Sequence, residues 1–263
     1  MRTLFAHEMR MNRKSLLIWM LCVAGIGFSC ILLFTSLEDS MKGMEEAYSS
    51  MGAFSQAFGL DRLSIATLEG YYATEIGVIH GLGSAMFAAI IGTVLLSKEE
   101  DGHTSEFLYT LPISRRKAVF AKWTALMTNI LIFNVICALS YLIGFLIMGE
   151  SMDIKCFVLF HLAQTIMNLE IGSICFLISA CTKKNKIGAG LGIVILLYAV
   201  DMMARIVPAI KDLKYITPFY YANAADIFCN GKINSTNLII GIVIFAFTTI
   251  AAFLVYEKKD LAA

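Results

Sequence analysis

Six long apolar runs constrain the fold of this chain more than any other feature. The hydrocarbon core of a bilayer is about 30 Å thick, so a helix needs about 20 apolar residues to cross it. Each run reaches that length with few or no charges. We therefore predict an all-α membrane protein in which residues 1–263 form one six-span domain. The predicted spans are 15–37, 76–97, 123–149, 156–182, 187–210 and 233–256.

The composition supports a membrane protein and excludes several other classes. Hydrophobic residues make up 58% of the chain and charged residues 16%, against about 45–50% and about 25% in soluble domains. This balance excludes an ordinary cytosolic enzyme, a disordered chain and a secreted disulfide scaffold. The net charge of +1 gives no indication of nucleic-acid binding.

The distribution of Lys and Arg predicts the orientation. The N-terminus, the second-to-third and fourth-to-fifth loops, and the C-terminal tail together hold fourteen, while the opposite loops hold six. Because positively charged loops remain on the cytoplasmic side, we predict that both termini are cytoplasmic. The first apolar run is too long for the apolar core of a signal peptide, so we interpret it as a retained span.

Two segments beside the spans have helical periodicity. In residues 1–14, Leu4, Phe5 and Met9 alternate with basic residues, which predicts a short amphipathic helix on the inner membrane face; the alternative is a merely basic flank. In the first outer loop, methionine and aromatic residues recur every three or four positions between residues 41 and 58. With no His or Cys among them, we favour an apolar packing stripe over a copper site.

The seven cysteines show no metal-site spacing, so we predict no metal ligands and interpret most of them as buried small side chains. Cys156 and Cys229 both belong to predicted outer segments. A disulfide between them is conceivable but has no support in the sequence.

The second inner loop predicts a short amphipathic helix. Gly102 ends the preceding helix, Thr104 is a suitable N-cap, and Pro112 ends the segment. Ser114 is a suitable cap for the next helix, which enters the third span with basic residues at its start. An exposed apolar face in a cytoplasmic loop either fits a groove on a partner or lies on the lipid surface. That segment contains Glu106, Phe107, Leu108 and Leu111.

Ionisable residues inside predicted spans are costly in a bilayer and therefore mark functional or structural sites. Asp201 and Arg205 stand four residues apart, so they lie on one helix face and can pair. Glu170 has no such partner on its own helix, and we expect it to face the interior of the assembly. With His80 and His161, these residues either line a polar path or fix helix packing.

Three patches accompany the spans: LFAHEMRMNRKS at the N-terminus, EEDG followed by LPISRR after the second span, and YEKKDL at the C-terminal exit. With the order of the elements, they resemble the integral permease subunit of a bacterial ABC-type exporter, of the type-two ABC permease family. Together with six spans and inner termini, the resemblance covers the whole chain.

The resemblance implies the fold, the partners and the site. A coupling helix between the second and third spans would dock into a separate P-loop ATPase subunit. That partner would hold the ATP and Mg²⁺, and this chain would bind no cofactor and would not be an enzyme. Two permease chains, identical or different, would enclose the path in the bilayer. The implied ATPase-coupling residues are Glu99, Glu100, Thr104, Glu106, Phe107, Leu108, Leu111 and Arg115.

The residues agree with an ATPase on a separate chain and leave alternative functions open. No phosphate-binding G-x-x-x-x-G-K-[ST] loop is present, and we interpret the glycines at 188, 190 and 192 as helix-packing positions. The main alternative is an ion-driven secondary transporter, although the two halves show no repeat. An intramembrane protease using Ser84 and His161 is disfavoured because Ser84 lacks a nucleophile-elbow motif. The sequence does not identify the substrate.

Overall fold

A computed structural model describes residues 1–105 and 113–259 of the chain. It has six helices that are long and apolar enough to cross a membrane, and no strand occurs in these two ranges. The all-helical, six-span prediction is therefore confirmed. The long helices are α1 (Arg2–Ser49), α3 (Leu68–Val94), α5 (Arg115–Met148), α6 (Ile154–Cys181), α7 (Ile187–Ile206) and α9 (Ser235–Lys258), and the short ones are α2 (Ala53–Phe58), α4 (Lys98–Asp101) and α8 (Ala224–Asn230).

Helix α1 is longer than a bilayer requires. Its 48 residues correspond to about 72 Å at 1.5 Å per residue. The amphipathic N-terminal segment is helical as predicted, but it continues into the first span without a break. At the other end, the helix continues beyond the predicted span to Ser49. In this extension, Glu38 and Lys42 form an i,i+4 ion pair of 2.7 Å. The methionine stripe is thus divided between α1 and α2, because Gly52 adopts a positive φ of 55° between them.

The long helices pack as a bundle with α3 and α6 at its centre. Helix α1 lies along α5, α6 packs between α3 and α9, and α7 packs against α3. Glycine permits the closest approach. A Cβ atom on Gly92 of α3 would lie 2.6 Å from the carbonyl oxygen of Gly172 in α6, and one on Gly190 of α7 would lie 2.7 Å from Thr93. Gly190 is therefore a packing position as predicted, whereas a Cβ on Gly188 or Gly192 would meet nothing within 4 Å in this chain, so the prediction is wrong for these two glycines.

The fifth and second spanning helices differ from the predicted spans at their outer ends. Helix α7 ends at Ile206 and not at residue 210, because Pro208 forces Val207 into an extended conformation. Pro208–Tyr215 then forms 3₁₀ turns. Helix α3 begins earlier than predicted, at Leu68, after Thr67 caps it by accepting from the N–H of Gly70. It contains a π-helical turn at Tyr72–Ile76.

The segment 216–223 turns back into the bundle. The hydroxyl of Thr217 donates to the carbonyl of Leu197, 2.9 Å away and nine residues before the end of α7. Phe219 and Tyr221 are buried against other elements. Aromatic residues of outer loops commonly anchor a chain at the membrane interface, but these two lie inside the protein. The segment thereby places polar groups against buried parts of α6 and α7.

Candidate coupling site on the inner side

A buried lysine connects three elements at the end of the bundle that holds the start of α1 and the end of α9, which we call the inner side. The Nζ atom of Lys122 in α5 donates to Glu8 Oε1 of α1 at 2.7 Å and to Glu99 Oε1 of α4 at 2.6 Å. It also donates to the carbonyl of Leu95 at 3.0 Å. The side chains of Lys122 and Glu8 are 0% exposed. The network thus joins the first helix to both sides of the second-to-third loop.

A second lysine and a threonine complete this network. Lys98 Nζ donates to the other oxygen of Glu8 at 2.5 Å, and the Thr104 hydroxyl donates to Glu99 Oε2 at 2.8 Å. Burial raises the pKa of Glu99. The charge of Lys122 and the hydrogen bonds that Glu99 accepts outweigh this effect and hold that pKa below its usual value. Burial and the positive charge of Lys122 lower the pKa of Lys98. Glu99 is therefore held as an anion between fixed donors.

The C-terminal exit of the chain forms a second contact with the same loop. The Lys259 ammonium pairs with Glu100 and donates to the carbonyl of Thr182 at 2.6 Å. Arg115 donates to the carbonyl of Lys259 at 2.8 Å and to that of Glu257 at 3.3 Å. Both flanks of the predicted coupling helix are thus bound to the end of α9.

Four predicted coupling residues lie among the described residues, and four do not. Glu99, Glu100, Thr104 and Arg115 lie in the two contacts just described. The predicted cap of the next helix is confirmed, because the Ser114 hydroxyl accepts from the N–H of Lys117. The predicted coupling helix itself stays a prediction, since Glu106, Phe107, Leu108 and Leu111 lie outside the described residues.

Sequence reasoning missed the two residues at the centre of the network. Lys122 was counted only as part of the basic flank of the third span, and Glu8 only as part of an amphipathic segment. Their separation of 114 residues gives no periodic signal. A single acidic residue on a basic helix and a lysine entering an apolar run were the only indications available.

The two histidines of the spans lie together inside the bundle. Their ring centroids are 5.0 Å apart. His80 contacts Asn134 at 3.2 Å and the Tyr141 hydroxyl at 3.3 Å, while His161 Nε2 contacts the Tyr72 hydroxyl at 2.8 Å. This buried polar layer ties α3, α5 and α6 together, which supports the packing role rather than an open polar path.

Glu170 has a partner that the sequence did not indicate. The Tyr221 hydroxyl from the returning segment donates to Glu170 Oε2 at 2.9 Å. A Cβ on Gly241 of α9 would lie 2.5 Å from that oxygen, so the glycine leaves room for the carboxyl group. Glu170 is 2% exposed within this one chain. The expectation that it faces an assembly interior stays a prediction.

Asp201 and Arg205 form the predicted pair and belong to a larger network on the opposite, outer side. Arg205 Nε donates to Asp201 Oδ2 at 2.9 Å, and its Nη1 donates to Asp226 Oδ2 of α8 at 2.6 Å. Arg62 donates to the other oxygen of Asp226 at 2.5 Å. Although burial raises the pKa of Asp226, the two guanidinium groups hold it below its usual value. The network fastens the first outer loop and α8 to α7.

The cysteines of the described residues form no cluster that could hold a metal ion. All seven cysteines are free, and the Cys156 thiol donates to Asp153 at 3.1 Å. No group of three or more His, Cys, Asp or Glu with the geometry for a metal ion occurs in residues 1–105 and 113–259. Met44 and Met51 are exposed, whereas Met41 packs on the core.

Comparison with protein families decides the class of this chain. The model of the ABC-2 family transporter protein matches residues 2–261. The chain belongs to the ABC-2 transporter family. No curated protein matches the chain. The ABC-2 chain is thus a multi-pass membrane component of a transporter, and the predicted permease is confirmed.

Proposed function

We propose that this ABC-2 chain is the transmembrane subunit of an ATP-driven exporter in the bacterial cytoplasmic membrane, with both termini in the cytoplasm. It pairs with a second permease chain of the same or a sister sequence. Separate P-loop ATPase subunits bind Mg²⁺-ATP and hydrolyse it. The family membership supports the transport role, and the inner-side network supports the site of coupling.

The observation that carries the coupling proposal is the double attachment of the loop between α4 and α5. Lys122 binds Glu99 at the beginning of this loop, and the α9 exit binds Glu100 and Arg115 at its two flanks. A loop fixed at both flanks transmits a push to the helices that hold it. Movement of the ATPase would therefore displace α1, α5 and α9 together, which shifts the bundle between inward and outward states.

Affinity purification of the chain from its own cells in mild detergent, followed by mass spectrometry, tests the proposal. We expect a P-loop ATPase to copurify and to be lost from Phe107→Ala, a residue of the predicted coupling helix. The matched control is Leu146→Ala, because Leu146 is 79% exposed at the outer end of α5. A chain that purifies alone and transports in liposomes with an ion gradient and no ATP contradicts the proposal in favour of a secondary transporter.

A further inference from the structure

A small cavity lies between α3, α6, α7 and the returning segment, away from the coupling site. Its volume is about 40 Å³. A site needs about 10–15 Å³ to hold one water, so this cavity has room for two or three waters or one small polar group. Asp201 is five residues from the outer end of α7, about 8 Å along the helix. The cavity is therefore in the outer half of the bundle.

Two buried oxygens in the cavity wall have no partner among the described residues. They are Gln164 Oε1 and Asp201 Oδ1, on side chains that are 3% and 2% exposed as residues. The orientation of Gln164 is fixed because its Nε2 donates to the carbonyl of Ala222 at 2.8 Å, which only accepts. The other oxygen of Asp201 is occupied by Arg205. A buried acceptor without a donor is costly, so both oxygens call for a donor inside the cavity.

The carboxylate in the cavity wall favours a cationic donor. Among the described residues that line the cavity, Asp201 is the one carboxylic acid, and one of its oxygens has no partner. The other charges of the outer network, Asp61, Arg62, Arg205 and Asp226, line a separate open cavity together with Lys211 and Lys214.

Apart from Asn223, the rest of the wall is aromatic and apolar. Tyr198 and Phe219 meet edge to face, with their ring centroids 5.4 Å apart, and both line the cavity. Phe58 and Met202 are half-buried members of the same wall. Aromatic faces attract ammonium groups, and half-buried apolar residues provide a rim along which a hydrocarbon chain can lie.

We propose that this cavity binds the primary ammonium head of an amphipathic molecule through Asp201 Oδ1 and Gln164 Oε1. The volume admits an NH₃⁺ group, and both oxygens need an N–H donor, which a quaternary ammonium lacks. The binding site itself does not depend on the proposed export function. Only the inference that this molecule belongs to a candidate substrate class rests on that function. Binding at the site does not require ATP or the ATPase.

Thermal unfolding of the full chain in lipid nanodiscs tests the site, with n-butylammonium chloride as the probe. Butanol has the same tail without the charge, tetramethylammonium chloride has the charge without an N–H donor, and NaCl supplies ionic strength and a metal cation. We expect a saturable rise in the melting temperature with butylammonium alone, because a ligand that binds only the folded state stabilises it.

Two variants locate the binding. Gly81→Ala adds a methyl group in ordinary contact with the Gln164 amide, 3.5 Å from Nε2, and occupies space in the cavity without removing a polar group. We expect it to raise the apparent Kd at least about tenfold, or about 1.4 kcal/mol. Asp201→Asn should do the same if it folds. Gly25→Ala is the matched control, since a Cβ there meets nothing within 4 Å.

Either of two results overturns the site. One is a rise in the melting temperature with butanol, tetramethylammonium or NaCl that equals the rise with butylammonium, or no rise with any probe. Either outcome means that water or a metal cation fills the cavity. The other is an unchanged affinity in Gly81→Ala. Neither result affects the copurification test of the proposed function, and loss of copurification does not affect this binding measurement.

Discussion

Replacing Lys122 by Met removes the ammonium at the centre of the inner network and keeps a side chain of similar length. Among the described residues, Glu8, which is fully buried, then retains Lys98, and Glu99 retains Thr104. Removing one partner of a buried ion pair costs about 3–5 kcal/mol, because the other charge stays buried. Because Lys98 still contacts Glu8, we expect Lys122→Met to lower the free energy of unfolding by about 3 kcal/mol.

A double-mutant cycle separates the ion pair from the loss of packing. We expect Glu8→Gln to relieve part of the penalty of Lys122→Met, with a coupling free energy of about 1–3 kcal/mol. Unfolding in mixed detergent micelles provides the free energies. Lys117→Met is the control, because Lys117 is exposed on the same helix, and its effect should stay within about 0.5 kcal/mol. Additive effects of Lys122→Met and Glu8→Gln refute the reasoning.

Three further predictions follow from the contacts. Gly92→Ala should destabilise the chain by about 1–3 kcal/mol in the same unfolding assay, because its Cβ meets the Gly172 carbonyl; a change as small as that of Gly25→Ala would contradict the close packing. Tyr221→Phe should cost about 1–3 kcal/mol through loss of the bond to Glu170, and much less in a Glu170→Leu background; equal costs in both backgrounds argue against the bond. Because the pKa of Glu99 is lowered in the folded chain, its contribution is present above the unfolded pKa and is lost as the pH falls from about 5 through the folded pKa. The acid side of a stability–pH profile should therefore be shallower in Glu99→Gln, and an unchanged profile contradicts this assignment.

The features that the sequence predicts well are those with a local cause. Six apolar runs of sufficient length predict six helices, and a spacing of four residues predicts the pair of Asp201 and Arg205. The cap at Ser114 follows from its position just before a basic helix start. In each case the interacting groups lie within one helix or one turn, so the pattern of the chain contains the answer.

The features that the sequence does not predict depend on contacts between distant segments. Arg62 and Asp226 are 164 residues apart, and nothing in either neighbourhood identifies the other. The return of residues 216–223 into the bundle depends on tertiary partners for Thr217 and Tyr221. The extra length of α1 was missed for another reason, since the charged residues after position 37 end an apolar run without ending a helix.

The buried charges on the inner side are better explained by a need for orientation than by stability. Apolar residues of similar volume often stabilise a core as well as a buried ion pair does, and α1, α5 and α6 already share an extensive apolar core. Lys122 adds directional bonds to Glu8, Glu99 and the Leu95 carbonyl, which fix where α4 leaves the bundle. If that orientation is what the network provides, Lys122→Met should reduce ATP-dependent transport more than the number of folded complexes. Equal losses of transport and of folded complex would assign the network to stability alone.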